Sequence, residues 1–251
     1  MTKKGLIITG TDTDAGKTMV SAALFRQYCA INPNLYYWKP VQTGYPPDDD
    51  TQTVVNLSGC NRTITGLRYS EPVSPHLAAE IDGQQLDAGQ ILSMYNDIQS
   101  DVLIEGAGGL FVPLNRKVMF IDVFARLQLP VVLVARTLLG TINHTMLSVE
   151  ALQRRSIPIA AIAFFDPFTD TPDRAVETDT DESGQTALMQ AGDTQDTALV
   201  FRKRLVQDNM QIIAEFTGLT CLGPITYDNV VSQADDRVLP DPDYKLAKWL
   251  G

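Results

Sequence analysis

Short apolar runs rich in β-branched residues alternate along the chain with longer stretches whose apolar residues recur at helical spacing. The short runs predict strands at residues 5–9, 35–39, 101–105, 130–135, 159–165 and 220–222. The longer stretches predict helices at residues 17–31, 51–58, 87–99, 120–127, 142–155 and 197–217. Alternating strands and helices are typical of parallel sheets, and continuous apolar strands are typical of sheets covered on both faces. We therefore predict an α/β fold with a mostly parallel sheet and helices on both faces.

A glycine-bearing loop, Gly10-Thr-Asp-Thr-Asp-Ala-Gly16-Lys17-Thr18, joins the first predicted strand to the first predicted helix. In such a unit, backbone N–H groups and the positive end of the helix dipole face a bound phosphate. The lysine can reach the terminal phosphates, and the following hydroxyl can hold Mg²⁺. The common P-loop pattern has glycine where this chain has Thr11, so a chance Gly-Lys-Thr is the alternative. We favour phosphate binding and a P-loop NTPase-like fold, and we expect Lys17 to be solvated without nucleotide.

Polar or glycine-rich segments also follow the next three predicted strands. Lys39 ends the second strand, Glu105 ends the third before Gly-Ala-Gly-Gly, and Asn143 begins the helix after the fourth. Ligands bind beyond the carboxyl ends of the strands in open α/β sheets, so we expect these segments to converge. As alternatives, Lys39 is a solvated lysine and the glycines only form a turn. A carboxylate at Glu105 is costly to bury without a cation, which magnesium shared with phosphate would supply.

Three adjacent aspartates, Asp48, Asp49 and Asp50, precede the second predicted helix. They can cap the helix and favour its dipole, or one of them can be a second carboxylate ligand of magnesium besides Glu105. The two roles are compatible. We expect His76 and His144 to be structural, because neither has an evident nucleophile as partner.

Composition narrows the possible classes. The chain has 251 residues and a net charge of −10, so we predict one domain over residues 1–251 and no nucleic-acid or membrane partner. The three cysteines, Cys29, Cys60 and Cys221, include no close pair, which favours reduced thiols. No apolar run has the length of a signal peptide or a membrane span, so we expect a cytoplasmic protein.

Two segments depart from the alternating pattern. Residues 166–196 hold nine acidic residues and one basic residue, Arg174, and predict a flexible acidic insert, with a lid or partner-binding loop as the alternative. Residues 241–251 carry Tyr244, Leu246 and Trp249 at nearly helical spacing, which predicts a short docking helix.

Five segments together resemble the dethiobiotin synthetase family, the ATP-dependent carboxylating cyclo-ligases of biotin biosynthesis. They are residues 10–18, Lys-Pro-Val-Gln-Thr-Gly at 39–44, Glu-Pro-Val-Ser-Pro-His at 71–76, Glu-Gly-Ala-Gly-Gly at 105–109, and Leu-Gly-Thr-Ile-Asn-His at 139–144. They follow the family's order over roughly the first 145 residues, and the unusual glycine spacing of the first loop is itself a family trait.

The resemblance implies roles for single residues. The nucleotide would be bound by Asp14, Ala15, Gly16, Lys17, Thr18, Met19, Asp50, Glu105, Gly106, Ala107 and Gly108. Mg²⁺ would be held by Thr18, Asp50 and Glu105, with a shift to Asp49 left open. The catalytic lysines would be Lys17 and Lys39. The substrate would contact Thr13, Lys39, Thr43, Gly108, Gly109 and Asn143, the last from the neighbouring subunit, which implies a homodimer.

The resemblance also implies the reaction. The substrates would be 7,8-diaminopelargonic acid, CO2 or bicarbonate, and a nucleoside triphosphate. One amine captures CO2 as a carbamate, and a carbamate oxygen then attacks the γ-phosphate. The second amine closes the resulting carbamic–phosphoric anhydride to the cyclic urea of dethiobiotin. Positioning and charge neutralisation around the transferring phosphoryl group carry most of this catalysis.

The match weakens beyond about residue 157. Phe165-Asp166 stands where family members carry Asn-Asp, whose asparagine reads adenine. Leu222-Gly-Pro-Ile-Thr226 stands at a further base-contacting loop, again with altered residues. We therefore hypothesise a relaxed or altered nucleotide preference.

Two other P-loop classes are the alternatives. Related amido-ligases usually bring a glutaminase domain with a nucleophilic cysteine, for which this chain is too short. Partition or septum-site switches have an extra lysine early in the phosphate loop, where this chain has Thr-Asp-Thr-Asp, and a basic or amphipathic surface element. We therefore predict a dethiobiotin synthetase.

Overall fold

A computed structural model describes residues 3–167, 195–232 and 246–250. The strands are β1 (Gly5–Gly10), β2 (Leu35–Trp38), β3 (Val41–Gln42), β4 (Thr63–Ile64), β5 (Leu67–Arg68), β6 (Asp101–Gly109), β7 (Val131–Arg136), β8 (Ile159–Asp166) and β9 (Cys221–Thr226). The helices are α1 (Lys17–Cys29), α2 (Asp50–Ser58), α3 (Pro75–Ile81), α4 (Ala88–Asp97), α5 (Phe120–Leu127), α6 (Thr141–Arg154), α7 (Gln195–Thr217), α8 (Tyr227–Val231) and α9 (Ala247–Leu250). Among these helices none is both long enough and apolar enough to span a bilayer.

The main sheet has seven strands in the order β4-β2-β6-β1-β7-β8-β9, and every neighbouring pair is parallel. Strand β1 lies in the middle, between β6 and β7. Strands β3 and β5 form a separate parallel pair. The predicted α/β fold with a parallel sheet is therefore confirmed, and the phosphate loop leaves the centre of the sheet.

Alternate residues of β1 point to opposite faces of the sheet, as the two-residue period of a strand requires. Leu6 and Ile8 join a core cluster with residues of α1, α8 and α9. Ile7, between them, joins a second cluster with residues of α4 and α5. A third cluster packs β7 and β8 against α6 and α7. Helices therefore cover both faces, which explains why the strands read as continuous apolar runs.

Most predicted elements form within a few residues of their expected bounds, and α5 forms over residues 120–127 as predicted. Strand β6 continues past the predicted end at residue 105 to Gly109. The pattern missed β3, β4 and β5, because two-residue strands are too short to show a period, and it missed the short helices α3 and α8.

The described residues at both ends of the predicted acidic insert belong to regular elements. Asp166 is the last residue of β8, where its carboxylate pairs with Arg202, and α7 already begins at Gln195. The remaining residues of the proposed insert, 168–194, lie outside the described residues.

The chain's last described segment docks on the core. Leu246 and Leu250 are buried in the cluster that contains α1, and the Asn32 side-chain amide donates to the Leu250 carbonyl at 2.7 Å. The predicted docking helix is confirmed as α9, whereas Tyr244 lies outside the described residues.

Candidate active site

The phosphate loop needs glycine at position 10 for a steric reason. A Cβ atom on Gly10 would lie 2.7 Å from the Asp12 carbonyl oxygen and 3.3 Å from Cδ of Lys17. The loop turns back over the end of β1 at this point, and Lys17 passes beside it. The glycine at position 10 therefore follows from how this loop turns.

Gly16 ends the loop in the left-handed region, with φ of 92°, and α1 begins at the next residue. A Cβ atom here would lie 2.6 Å from Cβ of Phe165 and would overlap its ring. Phe165, at the end of β8, is 6% exposed. The loop is thus packed from below by a side chain that sequence reasoning had considered only as a possible base contact.

Lys17 is buried, so the expectation that it would be solvated is wrong. Its ammonium donates to the Asp12 carbonyl oxygen at 3.0 Å, because the loop folds back around the side chain. Burial lowers the Lys17 pKa, and the charge of Glu105 opposes this shift. The Lys17 ammonium therefore lies within the phosphate loop, and the charge of Glu105 compensates its charge only in part.

Lys39 lies between two carboxylates beneath the phosphate loop. Its ammonium donates to Oε1 of Glu105 at 3.0 Å and also to the Asp50 carboxylate. Glu105 is fully buried and Lys39 is 5% exposed, so the alternative of a solvated lysine is wrong. The carboxyl ends of β2 and β6 are adjacent in the sheet, which brings Lys39 and Glu105 together.

Two hydroxyl groups complete this cluster. Tyr37 donates to Oε2 of Glu105 at 3.0 Å. The Thr18 hydroxyl lies 2.9 Å from Oε1 of Glu105 and 3.1 Å from Oδ1 of Asp50. Sequence reasoning missed Tyr37, although its position two residues before Lys39 places both on the same face of the chain.

The electrostatics of the cluster favour a protonated Lys39. Burial lowers the pKa of Lys39, but Glu105 and Asp50 outweigh it, so the pKa lies above its ordinary value. Burial raises the pKa of Tyr37 well above its usual range, and the charge of Glu105 raises it further. Tyr37 therefore stays a neutral hydrogen-bond donor to Glu105.

The three adjacent aspartates do different things. Asp49 is the N-cap of α2 and accepts from the Gln52 backbone N–H at 3.0 Å. Asp50 points to Thr18 and Lys39, and the Gln42 side chain accepts from its backbone N–H at 3.2 Å. Asp48 lies along the cleft wall. The carboxylate beside Thr18 is therefore that of Asp50.

A cleft of about 750 Å³ opens above this cluster. Predicted site residues that line it are Thr13, Asp14, Gly16, Lys17, Thr18, Met19, Lys39, Thr43, Asp50, Ala107 and Gly108. Ala15, Glu105, Gly106 and Gly109 are buried behind this wall. The structure adds residues that sequence reasoning did not assign to the site, namely Gln42, Pro47, Thr53, Pro72, Pro167 and Tyr227.

Asn143 does not reach this cleft. It is exposed on α6 and lines a separate hollow with Phe216. His144 is exposed on the same helix and lines an open groove with Phe111. The Nδ1 atom of His76 lies 3.0 Å from the Ser74 hydroxyl at the start of α3.

The oxygen donors beneath the cleft suit a nucleotide-linked magnesium ion. In the described ranges, no group of three or more His, Cys, Asp or Glu side chains forms a metal cluster. Mg²⁺ in nucleotide sites, however, takes only one or two carboxylates and completes its shell with phosphates and water. Asp50, Glu105 and the Thr18 hydroxyl converge where one cation, the Lys39 ammonium, already lies. The donor set therefore fits Mg²⁺.

A phosphate loop at the carboxyl end of the central strand, with acidic and hydroxyl groups below it, defines a P-loop nucleotide-binding protein. Comparison with known proteins agrees. A family described as "AAA domain" matches residues 4–235. A Cyanothece McdA variant in complex with ATP has the same fold, with a TM-score of 0.50 and 11% identity over 94% of this chain and 88% of that chain.

Curated relatives narrow the class to one family. An ATP-dependent dethiobiotin synthetase of Brucella anthropi is 52% identical over 161 residues, which cover 63% of this chain and 73% of the relative. A Rhodopseudomonas palustris enzyme of the same name is 49% identical over 164 residues, covering 64% of this chain and 74% of the relative. The chain belongs to the ATP-dependent dethiobiotin synthetase family.

Proposed function

We propose that the protein forms dethiobiotin from 7,8-diaminopelargonic acid, CO2 and a nucleoside triphosphate with Mg²⁺, working in the cytoplasm. The observation that carries the proposal is the common cleft of the phosphate-loop Lys17 and the buried Lys39. A phosphoryl-transfer site needs positive charge on both sides of the transferring group, and these two lysines supply it. Family membership supplies the chemistry for which this charge is used.

The nucleotide would lie along the phosphate loop. Backbone N–H groups of residues 14–19 at the start of α1 would bind its phosphates, and Ala107 and Gly108 would line the opposite wall. Thr18, Asp50 and Glu105 would hold Mg²⁺, which neutralises phosphate charge when bound. Lys17 would leave the Asp12 carbonyl for a phosphate oxygen, an anionic acceptor that forms a stronger hydrogen bond.

The diamine would lie on the Lys39 side of the cleft. Thr13, Thr43 and the backbone of residues 108–109 offer polar groups there. Lys39 would hold the carbamate oxygen in line with the γ-phosphate, and the second amine would then close the ring. Lys39 would act as an ammonium group that stabilises negative charge and would not remove a proton. No covalent enzyme intermediate is needed.

The substrate site would be completed by a second copy of the chain. Asn143 lies outside its own cleft, and its face of the molecule carries the exposed apolar side chains of Phe111, Leu139, Ile142 and Leu147. Exposed apolar patches of this kind are typical of protein interfaces. We expect a homodimer, and Leu147→Asp should shift the sedimentation coefficient to that of a monomer while the circular dichroism spectrum stays unchanged.

The nucleotide preference would be relaxed. The cleft wall beyond the phosphate loop includes Phe165, Pro167 and Tyr227. The phenyl ring at residue 165 has no group that could hydrogen-bond a base, whereas an amide there would offer a directional hydrogen bond.

Mass spectrometry tests the reaction directly. The protein is incubated with diaminopelargonic acid, ¹³C-bicarbonate, Mg²⁺ and, in separate reactions, each of the four ribonucleoside triphosphates. We expect a labelled cyclic urea and an equal amount of released phosphate. Folded protein that gives no product with any nucleotide would refute the proposed function.

A further inference from the structure

We propose that the Lys39 ammonium and a divalent cation compete for one position between Asp50 and Glu105, so that cation binding releases Lys39 into the cleft. The inference rests on the proposed function for the metal site, and it goes beyond it by coupling the metal to the state of the lysine. In the structure Lys39 is engaged with both carboxylates at once.

The two carboxylates that a cation would need are the ones that Lys39 uses. Oε1 of Glu105 accepts from Lys39 at 3.0 Å and lies 2.9 Å from the Thr18 hydroxyl. Asp50 is shared through its two oxygens, because Oδ1 lies 3.1 Å from the Thr18 hydroxyl and Oδ2 accepts from Lys39. The lysine and the cation would therefore bind the same two carboxylates.

Glu105 cannot offer a different oxygen to each cation. Its second oxygen, Oε2, already accepts from Tyr37 at 3.0 Å, and the Tyr37 side chain is fully buried. A smaller rotation of the carboxylate would leave the buried Tyr37 hydroxyl without a partner, and a half-turn would only exchange two equivalent oxygens. The arrangement therefore holds Oε1 toward the point where Lys39 lies.

Charge also keeps the two cations apart. Magnesium binds oxygen ligands at about 2.0–2.1 Å, so an ammonium on the same oxygens would face a divalent ion at close range in a poorly hydrated site. The lysine side chain has four flexible carbons and its neighbours Gln42 and Thr43 line the cleft, so Lys39 has room to move toward the substrate side. The lysine would then be available for the substrate only after the metal and nucleotide have bound.

Mn²⁺ binding without nucleotide or substrate tests the competition. The titration is followed by electron paramagnetic resonance of free Mn²⁺ for the wild-type chain, Lys39→Met and Lys39→Gln. We expect both variants to bind Mn²⁺ at least about tenfold more tightly than the wild type, because the competing charge is gone. The glutamine variant keeps a hydrogen-bond donor for the two carboxylates, so it serves if the methionine variant does not fold.

Lys17→Met is the matched control. It removes the same charge from the same cleft, but Lys17 binds the Asp12 carbonyl and not the two carboxylates. We expect a much smaller gain in Mn²⁺ affinity from this variant. An equal gain from both lysines, or no gain in either Lys39 variant, would overturn the proposal. Because no diamine or nucleotide is present, the result is independent of whether the protein makes dethiobiotin.

Discussion

The Phe165 ring occupies the space that a side chain at position 16 would need, so that only Gly16 fits beside it. A Cβ atom on Gly16 would approach Cβ of Phe165 to 2.6 Å, and the ring closes the remaining space. Gly16 directly precedes Lys17 and the first turn of α1. A residue from the eighth strand therefore fixes the position of a loop that follows the first.

Gly16→Ala should weaken nucleotide binding strongly. The added methyl group meets Phe165, and a residue other than glycine pays about 1–2 kcal/mol for the left-handed conformation. We expect the Kd for a non-hydrolysable nucleotide to rise at least about tenfold, which corresponds to about 1.4 kcal/mol. Isothermal titration calorimetry measures it.

The double variant Gly16→Ala with Phe165→Ala separates the two causes. Removing the ring relieves the steric conflict but leaves the backbone strain, so we expect part of the affinity to return. If the double variant binds no better than Gly16→Ala alone, the contact with Phe165 does not govern the loop.

Phe165 should also govern the choice of base. The wild type is expected to use several nucleoside triphosphates at comparable kcat/KM, because a phenyl ring selects no hydrogen-bonding edge. Phe165→Asn should favour ATP by about tenfold, the order expected from one added hydrogen bond. Phe165→Leu is the control, since it changes the shape without adding an amide. Clean discrimination for ATP by the wild type would contradict the hypothesis.

Asp50→Asn and Asp49→Asn form a matched pair. Asp50 contacts Thr18 and Lys39, so its neutral variant should lose activity by a factor on the order of 10 to 100 and require more Mg²⁺. Asp49 caps α2, and asparagine caps a helix about as well as aspartate, so Asp49→Asn should keep both activity and stability. Activity measured over a range of Mg²⁺ concentrations distinguishes them. The reverse order of effects would move the metal ligand to Asp49.

Lys17→Gln should abolish most turnover and leave the fold intact. Losing a charged donor to the transferring phosphate costs a factor on the order of 100 to 1000. Burial already disfavours the charged form of Lys17, so a neutral side chain should not lower the free energy of unfolding appreciably. Phosphate release and thermal unfolding measure the two effects. A folded variant with normal turnover would remove Lys17 from the mechanism.

The sequence predicted those site residues that are polar and stand at the end of an apolar run. Lys39 and Glu105 were predicted on this ground, and the parallel sheet brings their strands side by side. The choice between Asp49 and Asp50 was not available from the sequence, because it depends on where α2 begins and thus on which carboxylate caps it. A shift of one residue turns a helical side chain by about 100°.

Contacts between distant segments were also beyond the sequence. The contact of Gly16 with Phe165 depends on the position of β8 beside β7 in the sheet, and no local sequence pattern encodes that position. The burial of Lys17 was predicted wrongly for a related reason. The Lys17 ammonium donates to a backbone carbonyl of its own loop, and this contact depends on how the loop turns and not on the residue type.

The strand order has a consequence for how the protein is made. Strand β6 sits between β1 and β2, although it follows both in the chain. During synthesis the segments that carry Lys17 and Lys39 are made before the one that carries Glu105. Glu105 comes beside the two lysines only when β6 inserts between β1 and β2. Non-local strand pairs of this kind form slowly, and until β6 has inserted the unpaired edges of β1 and β2 are prone to aggregation. The grouping of Lys17, Lys39 and Glu105 therefore forms only after β6 has paired with both β1 and β2.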